Sequence, residues 1–149
     1  MHFCLVDRVL EASPHRVVTI KHVSGAEEYL RDHFPGFPVL PGVMMIEALA
    51  QAARTLIEHR TGAPSRHVLG AARAVKYGAF VRPGATLRVE VELLKEPAPG
   101  EFEFRGAGLL LEPGAPAAEP PTAVSGRFSM RPIRPHTGAE SPPAAIMAP

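Results

Sequence analysis

Residues 33–51, HFPGFPVLPGVMMIEALAQ, form the stretch that decides the fold of this 149-residue chain. The stretch joins a segment with prolines at every third position (Pro35, Pro38, Pro41) to an apolar run that begins near Gly42. Proline fixes φ and lacks a backbone donor, so such spacing excludes a regular helix or a central strand. The sequence therefore predicts a rigid, extended lead-in followed by one long helix.

The predicted helix runs from Gly42 to about Arg60. Pro41 stands at or just before the first turn, where proline is tolerated, and Gly62 stands just past the end, where glycine is a common stop signal. The early part of the helix, VMMIEALAQAA, is apolar on nearly every face. That pattern is typical of a buried helix rather than an amphipathic surface helix, so we expect this helix to be buried.

Outward from the helix, six segments have the composition and alternation of β-strands. The clearest is TLRVEVELL at residues 86–94, in which apolar and charged side chains alternate. The six predicted strands cover residues 3–11, 16–23, 67–80, 86–94, 101–111 and 122–130. A single buried helix among several antiparallel strands predicts an α+β fold with the sheet wrapped around the helix.

The length of the chain fits one domain with a substantial core. Residues 97–100 predict a turn, and residues 112–121 predict a loop rich in proline and glycine. We place the domain at residues 1–132. The segment 133–149 is rich in proline and alanine and has no periodicity, so it is predicted to be a disordered tail.

Charge and cysteine content exclude several classes of protein. The formal net charge is +1 and the 16 Lys and Arg residues are scattered, which disfavours a nucleic-acid-binding domain or an anionic membrane surface. No stretch has the length of uncharged apolar residues that a membrane span needs. The only cysteine, Cys4, excludes an intrachain disulfide and indicates a cytoplasmic location. We expect Cys4 to be a small buried strand residue.

Glu47 lies in the middle of the apolar helix, where a carboxylate needs a partner, a ligand or a proton. The partial positive charge of the helix N-terminus favours the ionised form instead. The sequence leaves open which effect dominates. Gln51 lies one turn later on the same face, within reach of a hydrogen bond to Glu47.

The rigid lead-in can present the imidazole of His33 at a fixed position, as general-base chemistry requires. The backbone N–H groups of Gly42 and Val43 stand unpaired at the helix start, where they suit a carbonyl oxygen that gains negative charge. Together with Glu47, these groups suit proton removal next to a carbonyl and loss of a β-hydroxyl. The alternative is that His33 is an ordinary loop histidine and Glu47 is paired structurally.

The same stretch resembles the signature of the FabZ-type β-hydroxyacyl-acyl-carrier-protein dehydratases. The matching pieces are HFPG at residues 33–36, PVLPGV at residues 38–43 and EALAQ at residues 47–51. AVKYGAFVRPG at residues 74–84 resembles, in weaker form, the family's strand that ends in a Pro-Gly turn. The resemblance implies a hot-dog fold over residues 1–132, with a curved antiparallel sheet wrapped around one long central helix.

The resemblance also implies an activity, the dehydration of (3R)-3-hydroxyacyl thioesters to trans-2-enoyl thioesters in fatty-acid or related biosynthesis. His33 would be the base that takes the α-proton, and Glu47 would protonate the departing hydroxyl or hold the water. The N–H groups of Gly42 and Val43 would bind the thioester carbonyl, with Gln51 supporting Glu47. No metal ion or redox cofactor is implied, since the substrate arrives on the phosphopantetheine arm of acyl carrier protein.

Members of this family are homodimers at least, with a trimer of dimers as the common larger assembly. The acyl chain enters a tunnel at the dimer interface, where one subunit supplies the histidine and the other the glutamate. Met44, Tyr77 and Phe80 would lie in this tunnel or at its mouth. Glu47 and Pro35 favour plain dehydration over the isomerising FabA type, which has aspartate and valine at these positions.

One departure from the family concerns the recognition of the carrier. Gly78 and Ala79 stand where the family tends to have basic residues that help to dock the acidic carrier protein. The cations that could replace them are Arg73, Lys76 and Arg82. Two other functions stay open, a hot-dog acyl thioesterase and a non-catalytic protein that binds acylated carrier.

Overall fold

A computed structural model describes residues 3–114 and 119–134, in which six antiparallel strands form one sheet with the order β1-β2-β4-β5-β6-β3. One long helix, α1 (Gly42–Thr61), packs across this sheet. The strands are β1 (Arg8–Ala12), β2 (Arg16–His22), β3 (His67–Tyr77), β4 (Thr86–Ala98), β5 (Glu101–Leu111) and β6 (Thr122–Pro132). The predicted α+β arrangement of a sheet around one helix is confirmed.

Both ends of α1 follow from single residues. Pro41 is the N-cap residue, and Gly62 ends the helix in the left-handed region with a φ of 69°. The Gly62 N–H donates to the Glu58 carbonyl at 2.8 Å, which satisfies one of the last carbonyls of the helix. The predicted ends of the helix are therefore confirmed to within one residue.

The core lies between one face of α1 and the concave face of the sheet. Small residues let the two layers approach closely, since a side chain at Gly106 of β5 would stand 2.8 Å from Leu49 Cδ2 of the helix. Phe104 and Phe128 lie in register on β5 and β6 and stack with their ring centroids 5.4 Å apart. This packing fixes α1 on the sheet and so fixes the orientation of the opposite face of the helix.

That opposite face corrects one expectation. We expected α1 to be buried on all sides, but Val43 is 71% exposed and the Glu47 side chain is 37% exposed. The strands of one chain cover only the face that carries Ala48, Leu49 and Ala52. Within one chain, Glu47 is therefore half-buried rather than enclosed.

The N-terminal segment differs from the predicted strand at residues 3–11. The ladder to β2 begins with the Asp7 N–H, which donates to the Ile20 carbonyl at 2.8 Å. Residues 3–5 bond to α1 instead, because the Leu5 N–H donates to Gln51 Oε1 at 2.8 Å. Cys4 is exposed and lies outside the strands, so the expectation that it is a buried strand residue was wrong.

Strand β4 continues beyond the predicted residue 94 to Ala98. The ladder to β5 shifts register between Leu93 and Lys95 and again between Lys95 and Ala98. Such irregularities accommodate Pro97, which cannot donate to a regular ladder. The predicted turn at residues 97–100 is therefore shorter, and β5 begins directly after Gly100.

Three remaining points concern a short helix, membrane-spanning segments and the C-terminal tail. A short 3-10 helix at Glu28–Leu30 was not predicted. No helix in residues 3–114 and 119–134 combines the length and the apolar character that a membrane crossing requires. The predicted disordered tail lies outside the described residues from residue 135 onward, so that expectation stays a prediction.

Candidate active site

The imidazole of His33 is held by its own loop. His33 Nδ1 lies 3.0 Å from the Val39 carbonyl oxygen, and the Val39 N–H donates back to the His33 carbonyl at 2.9 Å. A carbonyl oxygen only accepts, so Nδ1 must carry the proton in this contact. In the neutral ring, Nε2 is then the acceptor, and it has no hydrogen-bond partner among the described residues. The loop thus presents Nε2 as a base.

Reciprocal hydrogen bonds stiffen the rest of this loop. The Phe34 N–H donates to the Phe37 carbonyl at 3.0 Å, and the Phe37 N–H donates back at 2.9 Å across Gly36, which has a φ of 74°. The Leu40 N–H then donates to the Val81 carbonyl at 2.8 Å, which ties the loop to the segment after β3. The rigid lead-in predicted from the prolines is therefore built from hydrogen bonds as well.

The first N–H groups of α1 are available for a ligand. The Pro41 carbonyl accepts from the Met44 and Met45 N–H groups at 2.9 and 3.2 Å. The N–H groups of Gly42 and Val43 have no acceptor among the described residues, as expected for the first turn of a helix. Met44, a predicted tunnel residue, is partly buried and packs against the core.

The two predicted gate residues lie beside these groups and the His33 loop. The ring of Tyr77 contacts the helix start at Gly42, where a methyl group would stand 2.7 Å from Tyr77 Cε1. Phe80 is 66% exposed and meets Phe37 edge to face with a centroid separation of 5.8 Å. The guanidinium of Arg82 lies 4.8 Å from the centroid of the same Phe37 ring.

Glu47 is held through one of its two oxygens. Glu47 Oε1 accepts hydrogen bonds from Gln51 Nε2 at 3.1 Å and from Arg54 Nη2 at 2.5 Å. Oε2 has no partner among the described residues. The predicted contact between Gln51 and Glu47 is confirmed. Arg54 was not predicted, although its position two helical turns after Glu47 places it on the same face.

Gln51 is itself fixed by the N-terminal segment. Its Oε1 accepts from the Leu5 N–H at 2.8 Å, and its Nε2 donates to the Phe3 carbonyl at 2.9 Å. These two contacts set the orientation of the amide, since only the N–H₂ end can then face Glu47. The backbone of residues 3–5 thereby helps to position the carboxylate.

His33 and Glu47 are not joined by a hydrogen bond or an ion pair in the described part of the chain. Around them lies a surface that we call the exposed apolar surface, formed by side chains that are each more than 40% exposed. Its members are Phe34, Phe37, Val43, Tyr77 and Phe80. Contiguous exposed apolar area of this kind is typical of an interface or a ligand site.

Solved structures with the same arrangement define the class of fold. A chain of the dehydratase heterocomplex ApeI:P from Xenorhabdus doucetiae matches with a TM-score of 0.58 and 21% identity, covering 85% of this chain and 96% of that chain. Mouse thioesterase superfamily member 2 matches with a TM-score of 0.58 and 11% identity, covering 82% and 78%. The chain has the hot-dog fold that dehydratases and thioesterases share.

Sequence comparison then gives the family. The family model for ApeI-like dehydratases matches residues 10–110. The FabZ 3-hydroxyacyl-acyl-carrier-protein dehydratase of Clostridium acetobutylicum is 38% identical over 120 residues, which cover 77% of this chain and 81% of the relative. That of Solibacter usitatus is 43% identical over 100 residues, which cover 64% of this chain and 60% of the relative's length. The chain belongs to the FabZ-type and ApeI-like family of hot-dog dehydratases.

Proposed function

We propose that this protein dehydrates (3R)-3-hydroxyacyl thioesters to trans-2-enoyl thioesters in fatty-acid or related acyl-chain biosynthesis. The observation that carries the proposal is the geometry of His33, whose Nδ1 is bonded to the Val39 carbonyl while Nε2 has no partner among the residues that the structure describes. Family membership supports the reaction class, and the curated relatives are named for substrates on acyl carrier protein. A cytoplasmic location belongs to the proposal and is supported by the low cysteine content of the sequence.

In this reaction, His33 Nε2 takes the proton from C2 of the substrate, and the C–H electron pair moves into the thioester as an enolate. The N–H groups of Gly42 and Val43 donate to the carbonyl oxygen as it gains negative charge. The enolate electrons then form the C2=C3 double bond while the C3–O bond breaks. The departing oxygen takes a proton from Glu47 and leaves as water, and the proton on His33 returns to Glu47 through solvent.

The steps balance without an oxidant or reductant, so we propose that the enzyme uses no redox cofactor. The described residues contain no group of three or more His, Cys, Asp and Glu side chains placed to hold a metal ion. The proposed catalysis therefore assigns the acid–base work to His33 and Glu47 and the stabilisation of the oxyanion to the helix start.

The proposal places a second copy of the chain on the exposed apolar surface, giving at least a homodimer and, as a larger form, a trimer of dimers. Three observations support it. His33 and Glu47 share no hydrogen bond or ion pair within the described part of one chain, and the face of α1 that carries Glu47 is half-exposed. In addition, β3 is an edge strand with exposed alanines at Ala71 and Ala72, and the unpaired backbone groups of an edge strand can pair with another chain.

Acyl carrier protein is the proposed partner that delivers the substrate. Four cations on the face of β3 and β6 that points away from the helix have no acidic partner within 4 Å among the described residues. They are Arg73, Lys76, Arg127 and Arg131. Arg73 and Arg127 lie directly opposite each other, an arrangement that destabilises a sheet unless an anion offsets it. This cationic face supports docking of an acidic protein.

Turnover of a carrier-linked 3-hydroxyacyl substrate, followed by enoyl absorbance, tests the activity. His33→Ala and Glu47→Gln should each lower kcat by about 100-fold or more, the range for loss of a general acid or base. Matched controls are His15→Ala in an exposed turn and Glu58→Gln further along α1, which should keep full turnover. Release of free thiol without enoyl product would show that the protein is a thioesterase and not a dehydratase. Binding of acylated carrier without turnover would indicate a non-catalytic protein.

Hybrid oligomers test whether two subunits share the site. Co-expression of His33→Ala with Glu47→Gln chains should restore up to about half of the activity per hybrid dimer, because one of its two sites then has both native groups. Mixed oligomers as inactive as the separate variants would show that each chain supplies its own pair.

Charge reversal tests the carrier surface. Arg73→Glu and Arg127→Glu should raise KM for the carrier-linked substrate by about 10-fold or more, while KM for a short pantetheine-linked substrate stays unchanged. Arg8→Glu on the opposite edge strand is the matched control. If the two charge reversals change KM equally for both substrates, or change neither, the cationic face does not bind the carrier.

A further inference from the structure

We infer that Arg54 is a positioning residue that sets which oxygen of Glu47 faces the substrate. The inference rests on the proposed dehydratase function and adds a residue to it. Arg54 Nη2 and Gln51 Nε2 both donate to Glu47 Oε1, at 2.5 and 3.1 Å. With both donors on one oxygen, the carboxylate has a defined asymmetry rather than two equivalent oxygens.

The asymmetry has a consequence for the proton. A carboxylate oxygen has two lone pairs, and both are engaged when it accepts two hydrogen bonds. Any proton on Glu47 is therefore carried by Oε2, the oxygen without a partner among the described residues. Oε2 is then the atom that meets the β-hydroxyl of the substrate.

Without Arg54, the Glu47 carboxylate would lose this fixed orientation. The Glu47 side chain is 37% exposed, and an exposed glutamate populates several rotamers. Arg54 is less exposed, at 28%, and its Nη1 lies 3.5 Å from the His67 carbonyl at the start of β3. The guanidinium is therefore held between the helix and the sheet, and it can hold the carboxylate in turn.

Gln51 supports the same carboxylate oxygen but does not replace Arg54. Its amide is already bonded to the backbone at Phe3 and Leu5, which fixes where its N–H₂ group points. Arg54 adds a positively charged donor, so its contact with Glu47 is an ion pair as well as a hydrogen bond, whereas the amide of Gln51 is neutral. We expect most of the restraint on Glu47 to come from Arg54.

Arg54→Ala should lower kcat by about 10- to 100-fold with little change in KM, since a misplacement of about 1 Å in a catalytic group has effects of this size. Arg54→Lys keeps a cationic donor and should recover part of the loss. Arg60→Ala removes another arginine from the same helix, one that lies 3.8 Å from Glu96 and 3.5 Å from the Pro14 carbonyl, and should keep full activity. Circular dichroism and thermal melting of each variant check the fold.

A double-mutant cycle separates positioning from a purely structural role. If Arg54 acts through Glu47, adding Arg54→Ala to Glu47→Gln should lower the residual activity by less than about 2-fold. An effect in that background as large as in the native one would overturn the inference. Should Arg54→Ala fail to fold, the same cycle with Arg54→Gln gives the same decision.

Rescue by free guanidinium provides a second, independent readout. Added guanidinium ion at low millimolar concentration should restore part of the kcat of Arg54→Ala and have no effect on Glu47→Gln. Absence of rescue together with an additive cycle would reject the positioning role. Lack of dehydratase turnover in the native protein would instead reject the proposed function, so the two failures are distinguishable.

Discussion

The ring of Tyr77 lies against the α carbon of Gly42, and a methyl group at residue 42 would stand 2.7 Å from Tyr77 Cε1. Alanine would suit the helix better than glycine, so the contact with Tyr77 explains why glycine occupies this position. The contact also gives two predicted site residues one common role. Tyr77, at the end of β3, lies beside the start of α1.

Gly42→Ala is expected to displace the Tyr77 ring and lower kcat/KM for the acyl substrate by about 10-fold, with little loss of stability because an exposed ring can move. In a Tyr77→Ala background, the same Gly42→Ala change should cause no further decrease in kcat/KM. Steady-state kinetics on the two single variants and the double variant measure this. Additive losses would show that the two residues act separately.

The elements predicted well are those whose signals are local. Pro41 and Gly62 mark both ends of α1, and the alternation at residues 86–94 marks β4. Residues 3–7 have the β-favourable composition of a strand, yet the backbone of Phe3 and Leu5 is bonded to Gln51, 46 positions after Leu5 in the chain. Nothing in a local pattern reveals that a helix side chain will capture backbone groups that a strand partner would otherwise take.

In the candidate active site too, the sequence predicts the contacts that depend on local spacing and misses those that depend on the tertiary fold. The contact between Glu47 and Gln51 follows from a spacing of four residues in a helix. The exposure of Glu47 does not follow, because it depends on how far the strands of one chain reach around the helix. The bond between His33 and the Val39 carbonyl depends on the path of a loop without a repeating pattern. Arg54 could have been found from its spacing of two helical turns.

Gly78 is fixed by the backbone rather than by a side chain. A Cβ at this position would lie 2.3 Å from the Thr122 carbonyl oxygen, which accepts from the Ala79 N–H at 3.0 Å. Gly78→Ala should therefore lower the free energy of unfolding by about 2 to 3 kcal/mol in urea denaturation, the range for overpacking. Gly25→Ala, with nothing within 4 Å of the new Cβ, is the control. Equal stability of both variants would contradict the assignment.

This steric limit also bears on carrier recognition. A basic side chain at residue 78 would meet the same Thr122 carbonyl. The backbone of this chain therefore leaves no room for the basic residue that the family tends to have at that position. The cations of the preceding strand β3, Arg73 and Lys76, are exposed.

Gln51→Ala should release the N-terminal segment from α1. The variant loses the acceptor for the Leu5 N–H and the donor to the Phe3 carbonyl, each a contact of about 1 kcal/mol. Hydrogen exchange at the Leu5 amide should accelerate by at least about 10-fold, while amides in β5 keep their protection. Unchanged exchange at Leu5 would mean that the segment is held by other contacts.

A buried ionic group connects this N-terminal segment to the loop that precedes His33. The Lys21 ammonium lies 2.8 Å from Glu27 Oε1 and 3.2 Å from Asp7 Oδ1, with 9% of its side chain exposed. Burial acts to lower the pKa of Lys21, but the hydrogen bonds to Glu27 and Asp7 outweigh it and the pKa is raised. Burial, followed by the charge of Glu27, also raises the pKa of Tyr29.

Both groups therefore keep their protons in the folded chain above their ordinary pKa values of 10.5 for Lys21 and 10.0 for Tyr29. The unfolded chain binds fewer protons in this range, so its formation becomes easier as the pH rises. The stabilisation is complete below about pH 10 and should decrease above it. Urea denaturation between about pH 9 and about pH 11 should show a falling free energy of unfolding, with a shallower fall for Tyr29→Phe and for Lys21→Met. Curves for both variants as steep as that of the native protein would mean that other groups cause the alkaline loss.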